Sequence, residues 1–378
     1  MTHNLKRLIL SFLILLFIGQ LPFFSTPAQE TTTSNLYTFT EQPDLIIILS
    51  PQYAADNDIS LAIHSYSTAV QNDLGWHTQI LRIQNNENDY RSIDELIETT
   101  YQDHPLKACI MVGEDLDTPL GGDSDYLEQP STLPWSTLGG PTVYNTTAQG
   151  ILCKPTIQHI CISLLYPTAN LSYEQKKSFL LFAFQKFSTQ RYTISPQTIR
   201  VLESSDFSTT SQPLYQQLST YTTISYSQDA TDSEITSSLS NSYAAYFVHG
   251  HSNPTGTDVN RQKHTGWFTA ENIDDLQTPF FGADGCYVAG WWSDHRDNNK
   301  LDPSIDASWY GSKIFTSISL QAMALGLLSQ DGYVTPVGFL ETAMPELLSG
   351  KTLAEAMIGD LTIGDTIIIG DPTFHYHI

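Results

Sequence analysis

Basic side chains are scarce in this chain of 378 residues. Lys and Arg number 17 against 40 Asp and Glu, which gives a formal net charge of -23 at pH 7. Nucleic-acid binding and electrostatic docking on anionic lipid both need a basic surface, so we expect neither kind of partner. The composition also argues against a disordered or fibrous chain, because 40% of the residues are hydrophobic and 11% are aromatic.

Cysteine is rare as well, with four residues in the whole chain. That number is too small for a disulfide scaffold, and the spacings lack the short pairs of a zinc site. Cys109 lies in an apolar run, where a buried, inert thiol is expected. Cys153 and Cys161 are close enough in sequence for a bridge across a hairpin. These assignments leave Cys286 to be explained.

Long apolar runs are absent beyond the first 24 residues. The run from Leu8 to Phe24 follows Lys6 and Arg7 and precedes Ser25-Thr26-Pro27-Ala28, a pattern typical of a secretory signal with a small residue at the cleavage site. We predict a signal peptide over residues 1–28, and a retained membrane anchor is the alternative. Cleavage would give a secreted or periplasmic protein that no longer contacts the membrane.

Short apolar runs alternate with helical patterns through the rest of the chain. After a polar lead over residues 29–43, Leu45–Leu49 and Ala108–Val112 are continuous apolar runs, typical of strands covered on both faces. A helical pattern over residues 58–74 separates them, and the same alternation resumes at Thr198. We therefore predict an α/β fold of two halves, 44–195 and 196–378, each a mostly parallel sheet flanked by helices.

Further elements follow from local patterns. The residues Ile157–Leu165 and Thr366–Ile369 are expected to be strands. Capping boxes predict helices that begin after Ser92, Ser172 and Thr231. Helical or amphipathic patterns also occur over residues 269–276 and near residues 313–327, 337–348 and 352–358.

Two predicted strands of the second half end in residues that can carry chemistry. Ala244–Val248 runs into His249-Gly250-His251, and Pro279–Ala283 runs into Asp284-Gly285-Cys286. Ligands of open parallel sheets bind beyond the carboxyl ends of the strands. Cys286 follows His249 by 37 residues, an interval that fits one strand–helix–strand unit. We therefore expect the two strands to be neighbours.

A cysteine and a histidine at neighbouring strand ends can form a nucleophilic pair. The imidazole of His249 would stabilise or generate the thiolate of Cys286. Glycine lets backbone amides approach a substrate closely, so the amides of Gly250 and Cys286 are candidates for an oxyanion hole. The competing interpretation is structural, with Cys286 a small buried hydrophobic residue and His249 a hydrogen-bonded core histidine.

His249 and His251 also form a His-x-His pair. Alternate residues of an extended segment point to the same side, so the pair could bind a metal. The continuation Ser252-Asn253-Pro254 excludes a metallohydrolase of the His-x-His-x-Asp-His kind. A metal-dependent hydrolase of another kind, using both histidines, stays open at this point.

The order of these motifs resembles that of the gingipain-type cysteine peptidases, relatives of caspases and legumain in clan CD. Those enzymes place the catalytic His, followed by Gly, after an apolar strand, similar to Tyr246–Gly250, and the Cys at the end of the next strand, similar to Phe280–Cys286. They also have a Val-Gly-acidic turn in the first half and a Gly-Asp-Pro turn at the close, similar to Val112-Gly113-Glu114 and Gly370-Asp371-Pro372. The resemblance spans residues 44–376.

The resemblance implies a caspase-like fold for both halves and a secreted cysteine endopeptidase. Cys286 would be the nucleophile and His249 the acid–base residue of a Cys–His dyad that works through an acyl-enzyme. His251 and Asp284 would lie behind the dyad or bind substrate. Peptides or proteins would be the substrates and no cofactor or metal would be needed, with calcium as a structural ion by family analogy only.

Two features depart from the family pattern. The family's Gly-Arg-apolar-Pro segment is replaced by Leu164-Leu165-Tyr166-Pro167. Asp284-Gly285 is not the usual small, apolar lead-in to the cysteine, and an anion beside the nucleophile would disfavour the thiolate. Both departures motivate a second interpretation, a catalytically inactive protein of the gingipain fold that acts in adhesion or secretion.

Overall fold

The structure is a computed structural model. It describes residues 42–84, 90–103, 106–116, 132–136, 145–147, 150–152, 157–167, 171–191, 198–253, 255–263, 265–285, 288, 310, 313–326, 339–360 and 366–377. The predicted signal peptide, Cys153 and Cys286 lie outside the described residues. Within those ranges, none of the helices combines the length and apolarity that a membrane span requires.

The described part of the chain contains a ten-stranded sheet. Its strands are β1 (Leu45–Leu49), β2 (Thr78–Arg82), β3 (Ala108–Val112), β4 (Cys161–Leu165), β5 (Thr198–Glu203), β6 (Thr223–Gln228), β7 (Ala245–His249), β8 (Phe280–Asp284), β9 (Ala322–Gly326) and β10 (Thr366–Gly370). Their order across the sheet is β2-β1-β3-β4-β10-β9-β8-β7-β5-β6. Neighbouring strands are parallel except β9 and β10, which are antiparallel.

The α/β architecture predicted from the alternating pattern is confirmed. The connection between the halves differs from the prediction of one sheet for each half. β10, the last strand, pairs in parallel with β4 and in antiparallel with β9. It thereby joins the strands of the first half to those of the second, and the boundary near residue 195 divides the chain but not the sheet.

The helices flank this sheet. They are α1 (Asn57–Leu74), α2 (Tyr90–Asp103), α3 (Leu133–Ser136), α4 (Tyr173–Thr189), α5 (Ser208–Leu218), α6 (Asp232–Leu239), α7 (Lys313–Thr316), α8 (Met344–Leu348) and α9 (Leu353–Met357), with a 3-10 helix at Ala270–Asp275 and a π-helical turn at Phe339–Ala343. The predicted capping boxes at Ser172 and Thr231 are confirmed. The one at Ser92 is wrong, since α2 already begins at Tyr90 and Ser92 lies in its first turn.

Tertiary pairing overrides local pattern in two segments. The amphipathic pattern near 313–327 predicted one helix, but the chain forms the short α7 and then β9, which is paired on both sides. The strand predicted over Ile157–Leu165 is divided. Ile157–Gln158 pairs with Gly359–Asp360, and β4 begins only at Cys161. Strand identity here depends on partners distant in sequence, which local periodicity does not report.

The two described cysteines of the sheet are free and fully buried. Cys109 on β3 is the inert buried thiol that its apolar run predicts, and burial raises the pKa of its thiol well above the ordinary value. Cys161 is a free cysteine in the middle of the sheet, and its predicted partner Cys153 lies outside the described residues. Cys161 is fully buried on β4, which lies between β3 and β10.

A small antiparallel sheet follows β7. Its strands are His251–Asn253, Gly256–Asp258 and Trp267–Thr269. A two-stranded ladder also joins Asn145–Thr147 to Gly150–Leu152. The small sheet covers the carboxyl end of β7 and leads the chain back toward β8.

Candidate active site

Three ionisable side chains occupy the last positions of three adjacent strands. Glu203 ends β5, His249 ends β7 and Asp284 ends β8. Because the strands are parallel and in register, His249 is paired with Glu203 on one side and with Asp284 on the other. The register of the sheet alone therefore brings two carboxylates to the same histidine.

Both ring nitrogens of His249 face a carboxylate. Nδ1 lies 2.8 Å from Oε1 of Glu203, and Nε2 lies 3.1 Å from Oδ2 of Asp284. The aromatic ring of Phe207 packs on the imidazole with 4.5 Å between the ring centroids. His249 is 6% exposed, so the ring has little freedom to turn.

Glu203 is held by a dense set of donors. Its carboxylate is fully buried and accepts hydrogen bonds from the hydroxyls of Ser211, Tyr215 and Tyr226, in addition to the contact with His249. Burial would raise the pKa of Glu203, but the hydrogen bonds from His249, Ser211 and Tyr226 lower it below the ordinary value. Glu203 is therefore an anion fixed in position.

Asp284 has the opposite environment. It is 3% exposed, and in the described part of the chain neither carboxylate oxygen has a hydrogen-bond partner. The 3.1 Å approach to Nε2 of His249 is thus an ion-pair contact without hydrogen-bond geometry. Burial raises the pKa of Asp284 and the Glu203 charge raises it further, against the opposing effect of His249.

The charge state of His249 follows from these neighbours. Burial would lower the pKa of the imidazole, but the carboxylates of Asp284 and Glu203 outweigh it and raise the pKa above the ordinary value. The histidine predicted from the strand end is thus poised to hold a proton. It is not a core histidine whose needs are met by backbone groups alone.

Gly250 and Gly285 permit a very close approach of backbone segments. A Cβ on Gly250 would come within 2.2 Å of the carbonyl oxygen of Asp258, and one on Gly285 within 1.9 Å of Oγ of Ser252. The amide of Gly250 donates to the carbonyl oxygen of Asp284 at 3.1 Å. The predicted oxyanion donor Gly250 is therefore engaged with the backbone in this structure, because the β7–β8 ladder continues through it.

His251 does not converge with His249. The ring of Phe207 contacts both imidazoles, with 5.1 Å between its centroid and that of His251. Nε2 of His251 lies 3.4 Å from Asp206 and in contact with the guanidinium of Arg261. The ranges covered by the structure hold no group of three or more His, Cys, Asp or Glu side chains placed to bind a metal ion. A shared metal at His249 and His251 has no geometric support.

Two of the residues around His249 have a sequence signal. Asp284 stands in the Asp284-Gly285-Cys286 motif, where the sequence marks it as a departure from the family's small, apolar lead-in to the cysteine. Glu203 was missed, although it closes the strand that begins at Thr198, where the alternating pattern resumes. The rule that drew attention to His249 and Cys286, a polar residue at the carboxyl end of a buried strand, applies equally to Glu203.

Two solved structures share the fold over most of their length. The crystal structure of the Arg-specific cysteine proteinase gingipain R (RgpB) aligns with 90% of this chain and 80% of its own, at 14% identity and a TM-score of 0.55. The complex of Porphyromonas gingivalis RgpB pro- and mature domains aligns with 88% of this chain and 79% of its own, at 13% identity and a TM-score of 0.54.

This chain has a gingipain-type, caspase-like fold. The fold expected from the order of the sequence motifs is thereby confirmed. No protein-family model matches the chain, and no curated protein matches it in sequence. At 13–14% identity the likeness concerns the fold, which is that of a cysteine proteinase.

Proposed function

We propose that this protein is an exported cysteine endopeptidase in which Cys286 and His249 form the catalytic dyad. The observation that carries the proposal is the setting of His249. It ends a buried strand at the carboxyl edge of a caspase-like sheet, and the fully buried carboxylate of Glu203 holds its Nδ1 at 2.8 Å. A histidine oriented by a buried anion is the arrangement that acid–base catalysis at a nucleophile requires.

Chain geometry supports Cys286 as the partner of His249. Cys286 follows Asp284 by two residues, and two residues of extended chain span at most about 7 Å. Asp284 itself pairs with His249 in the β7–β8 ladder. The sulfur of Cys286 is therefore attached within about 7 Å of the residue that pairs with His249, which suits it to act together with His249.

The mechanism is acyl transfer. The thiolate of Cys286 attacks the carbonyl carbon of a peptide bond and forms a C–S bond. The C–N bond then breaks, and His249 gives its proton to the leaving amine. A water molecule next attacks the thioester, its proton returns to His249, and the acid product leaves with regeneration of the thiolate.

The oxyanion of the tetrahedral intermediate needs backbone donors. The amide of Cys286 remains a candidate. The amide of Gly250 would serve only after it releases the carbonyl oxygen of Asp284, because the two are hydrogen-bonded in the ladder. Movement of the Gly250 segment on substrate binding is therefore part of the proposal.

Peptides or proteins outside the cytoplasm would be the substrates. Export depends on the predicted signal peptide over residues 1–28, and the chemistry needs no metal or organic cofactor. The specificity for arginine that is named for gingipain R belongs to that enzyme, and none of the site residues described above assigns it to this chain.

Thiol labelling tests the proposal. The purified protein is treated with iodoacetamide or a peptidyl acyloxymethyl ketone at pH 7, and modified residues are quantified over time by mass spectrometry. We expect fast modification at Cys286 that is lost in Cys286→Ala and falls strongly in His249→Ala. His251→Ala is the matched control, since it removes a neighbouring imidazole that is directed away from His249.

Two results would contradict the proposal. Equal, slow labelling in the wild type and in His249→Ala would indicate an unactivated thiol and favour the non-catalytic adhesion or secretion protein. Hydrolysis that is abolished by a chelator and unaffected by thiol blockers would favour a metal-dependent hydrolase. Circular dichroism of each variant separates these outcomes from unfolding.

A further inference from the structure

We infer that Asp284 is a positioning residue whose charge keeps a proton on His249, so that Glu203, His249 and Asp284 act as a single proton-holding unit. This inference rests on the proposed function, because the proton is the one that the leaving amine takes. It goes beyond the dyad, since it gives a role to a carboxylate whose place in the sequence argues against thiolate formation.

Asp284 is a buried carboxylate that lacks hydrogen-bond partners among the residues described. It is 3% exposed, and the lack of a partner applies to both carboxylate oxygens. An isolated carboxylate in such surroundings is strongly disfavoured unless it pairs with a cation or takes up a proton. Nε2 of His249, at 3.1 Å, is the group that can supply either.

The two carboxylates limit the number of protons that the imidazole of His249 and its neighbours can hold. Glu203 is hydrogen-bonded to Nδ1, whereas Asp284 faces Nε2 as an ion-pair partner without hydrogen-bond geometry. One arrangement has a doubly protonated imidazole between two carboxylates. The other has a neutral imidazole with its proton on Nδ1 and a protonated Asp284. The two arrangements contain the same number of protons, and because the Asp284–Nε2 contact lacks hydrogen-bond geometry, the structure favours the one with the proton on the imidazole.

Loss of that proton is unfavourable. It would leave the Nε2 lone pair facing an ionised, buried carboxylate, with a second anion at Glu203. The directions of the pKa shifts agree, since the pKa values of both His249 and Asp284 are raised. The pair therefore stays protonated to a higher pH than either group would alone.

The remaining charged and titratable groups around the ring do not replace Asp284. Those on α5 and β6 bind Glu203, and those beyond Phe207 are exposed and pair with one another. They are Tyr215 and Tyr226 in the first group and His251, Asp206 and Arg261 in the second.

The proton kept on His249 fits the catalytic cycle. In acylation the proton passes from the Asp284–His249 pair to the leaving amine, and the pair is left with a neutral imidazole and an ionised Asp284. In deacylation the attacking water returns a proton to the pair, and the hydroxyl that remains forms the new carboxylic acid. The thiolate of Cys286 stays ionised at both ends of the cycle, and no other reactant is needed.

The test is Asp284→Asn, which keeps the shape of the side chain and removes its charge. An opposite charge within 4–6 Å shifts a pKa by roughly 1–3 units, so we expect the titration midpoint of His249 to fall by about that amount. The alkaline limb of the kcat/KM profile should fall in parallel, whereas Asp284→Glu should restore most of both. The histidine titration is followed by NMR of ring-labelled protein and assigned with His249→Ala.

Asp206→Asn is the matched control, because Asp206 is a nearby carboxylate that contacts His251 rather than His249. It should leave the titration of His249 in place. Circular dichroism verifies the fold of each variant, and Asp284→Glu gives a second reading of the His249 midpoint if Asp284→Asn is unfolded.

The outcomes separate this inference from the proposed function. An unchanged His249 midpoint in Asp284→Asn overturns the inference, even in an active peptidase. A lowered midpoint in a protein without peptidase activity upholds the role of Asp284 in keeping the proton on His249 and overturns the peptidase. A uniform loss of activity at all pH values with an unchanged midpoint indicates a merely structural Asp284 and also overturns the inference.

Discussion

Substitution of Glu203 by Gln removes one charge from the centre of the site and leaves its shape almost unchanged. Oε1 accepts from Ser211, Tyr215 and His249, whereas Oε2 accepts from Tyr226. An amide nitrogen in the place of Oε2 would face a tyrosine hydroxyl, which can accept as well as donate. The hydrogen bonds therefore survive, and the variant isolates the effect of the charge.

The magnitude follows from the strength of charge-assisted bonds. Weakening them in a fully buried site costs about 1–3 kcal/mol of the free energy of unfolding. Glu203→Ala should cost more, about 3–5 kcal/mol, because it leaves several buried donors without an acceptor. Without the anion at Nδ1, His249 loses its orienting charge, and kcat should fall by roughly 10²–10⁴-fold, the usual contribution of acid–base catalysis.

The pH dependence gives a sign that can be checked. The pKa of Glu203 is lowered in the folded protein, so its contribution to stability is present above its unfolded value of about 4.3. That contribution is lost as the pH falls through the folded value. The stability advantage of the wild type over Glu203→Gln should therefore shrink as the pH falls through the folded pKa of Glu203.

Urea denaturation between pH 3 and pH 8, with steady-state kinetics on a peptide substrate, measures both effects. Glu234→Gln is a control, because Glu234 is an exposed carboxylate in the capping box of α6 and should leave kcat unchanged. Because Glu203 is fully buried and cannot touch the substrate, the KM of Glu203→Gln should change little. Full activity of Glu203→Gln, or a stability difference that does not depend on pH, would refute the orienting role.

Two further predictions concern buried cations. Burial lowers the pKa of Lys186 to about 7, whereas the ordinary value in the unfolded chain is about 10.4. Between these two pH values only the unfolded chain keeps the proton. The free energy of unfolding should therefore rise with pH over this range, by up to roughly 1.4 kcal/mol per pH unit. Lys186→Met should flatten that slope in urea titrations; an unchanged slope would contradict it. Arg191 pairs with Asp73 and Asp371, each at 2.8 Å, so Arg191→Met should lose about 3–5 kcal/mol by chemical denaturation, against a smaller loss for Arg191→Lys.

The individual strands could be predicted from the sequence, but their order could not. Continuous apolar runs such as Leu45–Leu49 and Ala108–Val112 are strands with the predicted bounds. The place of β10 between β4 and β9 depends on which edge is left free when the halves meet. The local composition of Thr366–Gly370 does not indicate its neighbours, because a strand buried on both faces has the same apolar pattern whichever strands it pairs with.

The site shows the same division between local and long-range information. His249 was predicted because a strand ends at it and a glycine follows. Glu203 carries an equivalent signal, but acidic residues at strand ends are common, and its significance depends on a register with a strand 46 residues later. The amide of Gly250 was predicted to be a free donor, and its use in the ladder with Asp284 is again a matter of register.

Asp284 shows how register can reverse the meaning of a residue. Read along the chain, it is an anion two positions before a nucleophile, and it argues against a thiolate. Across the sheet, Asp284 lies opposite His249, and the protonated imidazole neutralises its charge. A carboxylate at this position favours a proton on the imidazole, and a protonated imidazole is the partner that stabilises a thiolate. The same residue can thus support the chemistry that its place in the sequence argues against.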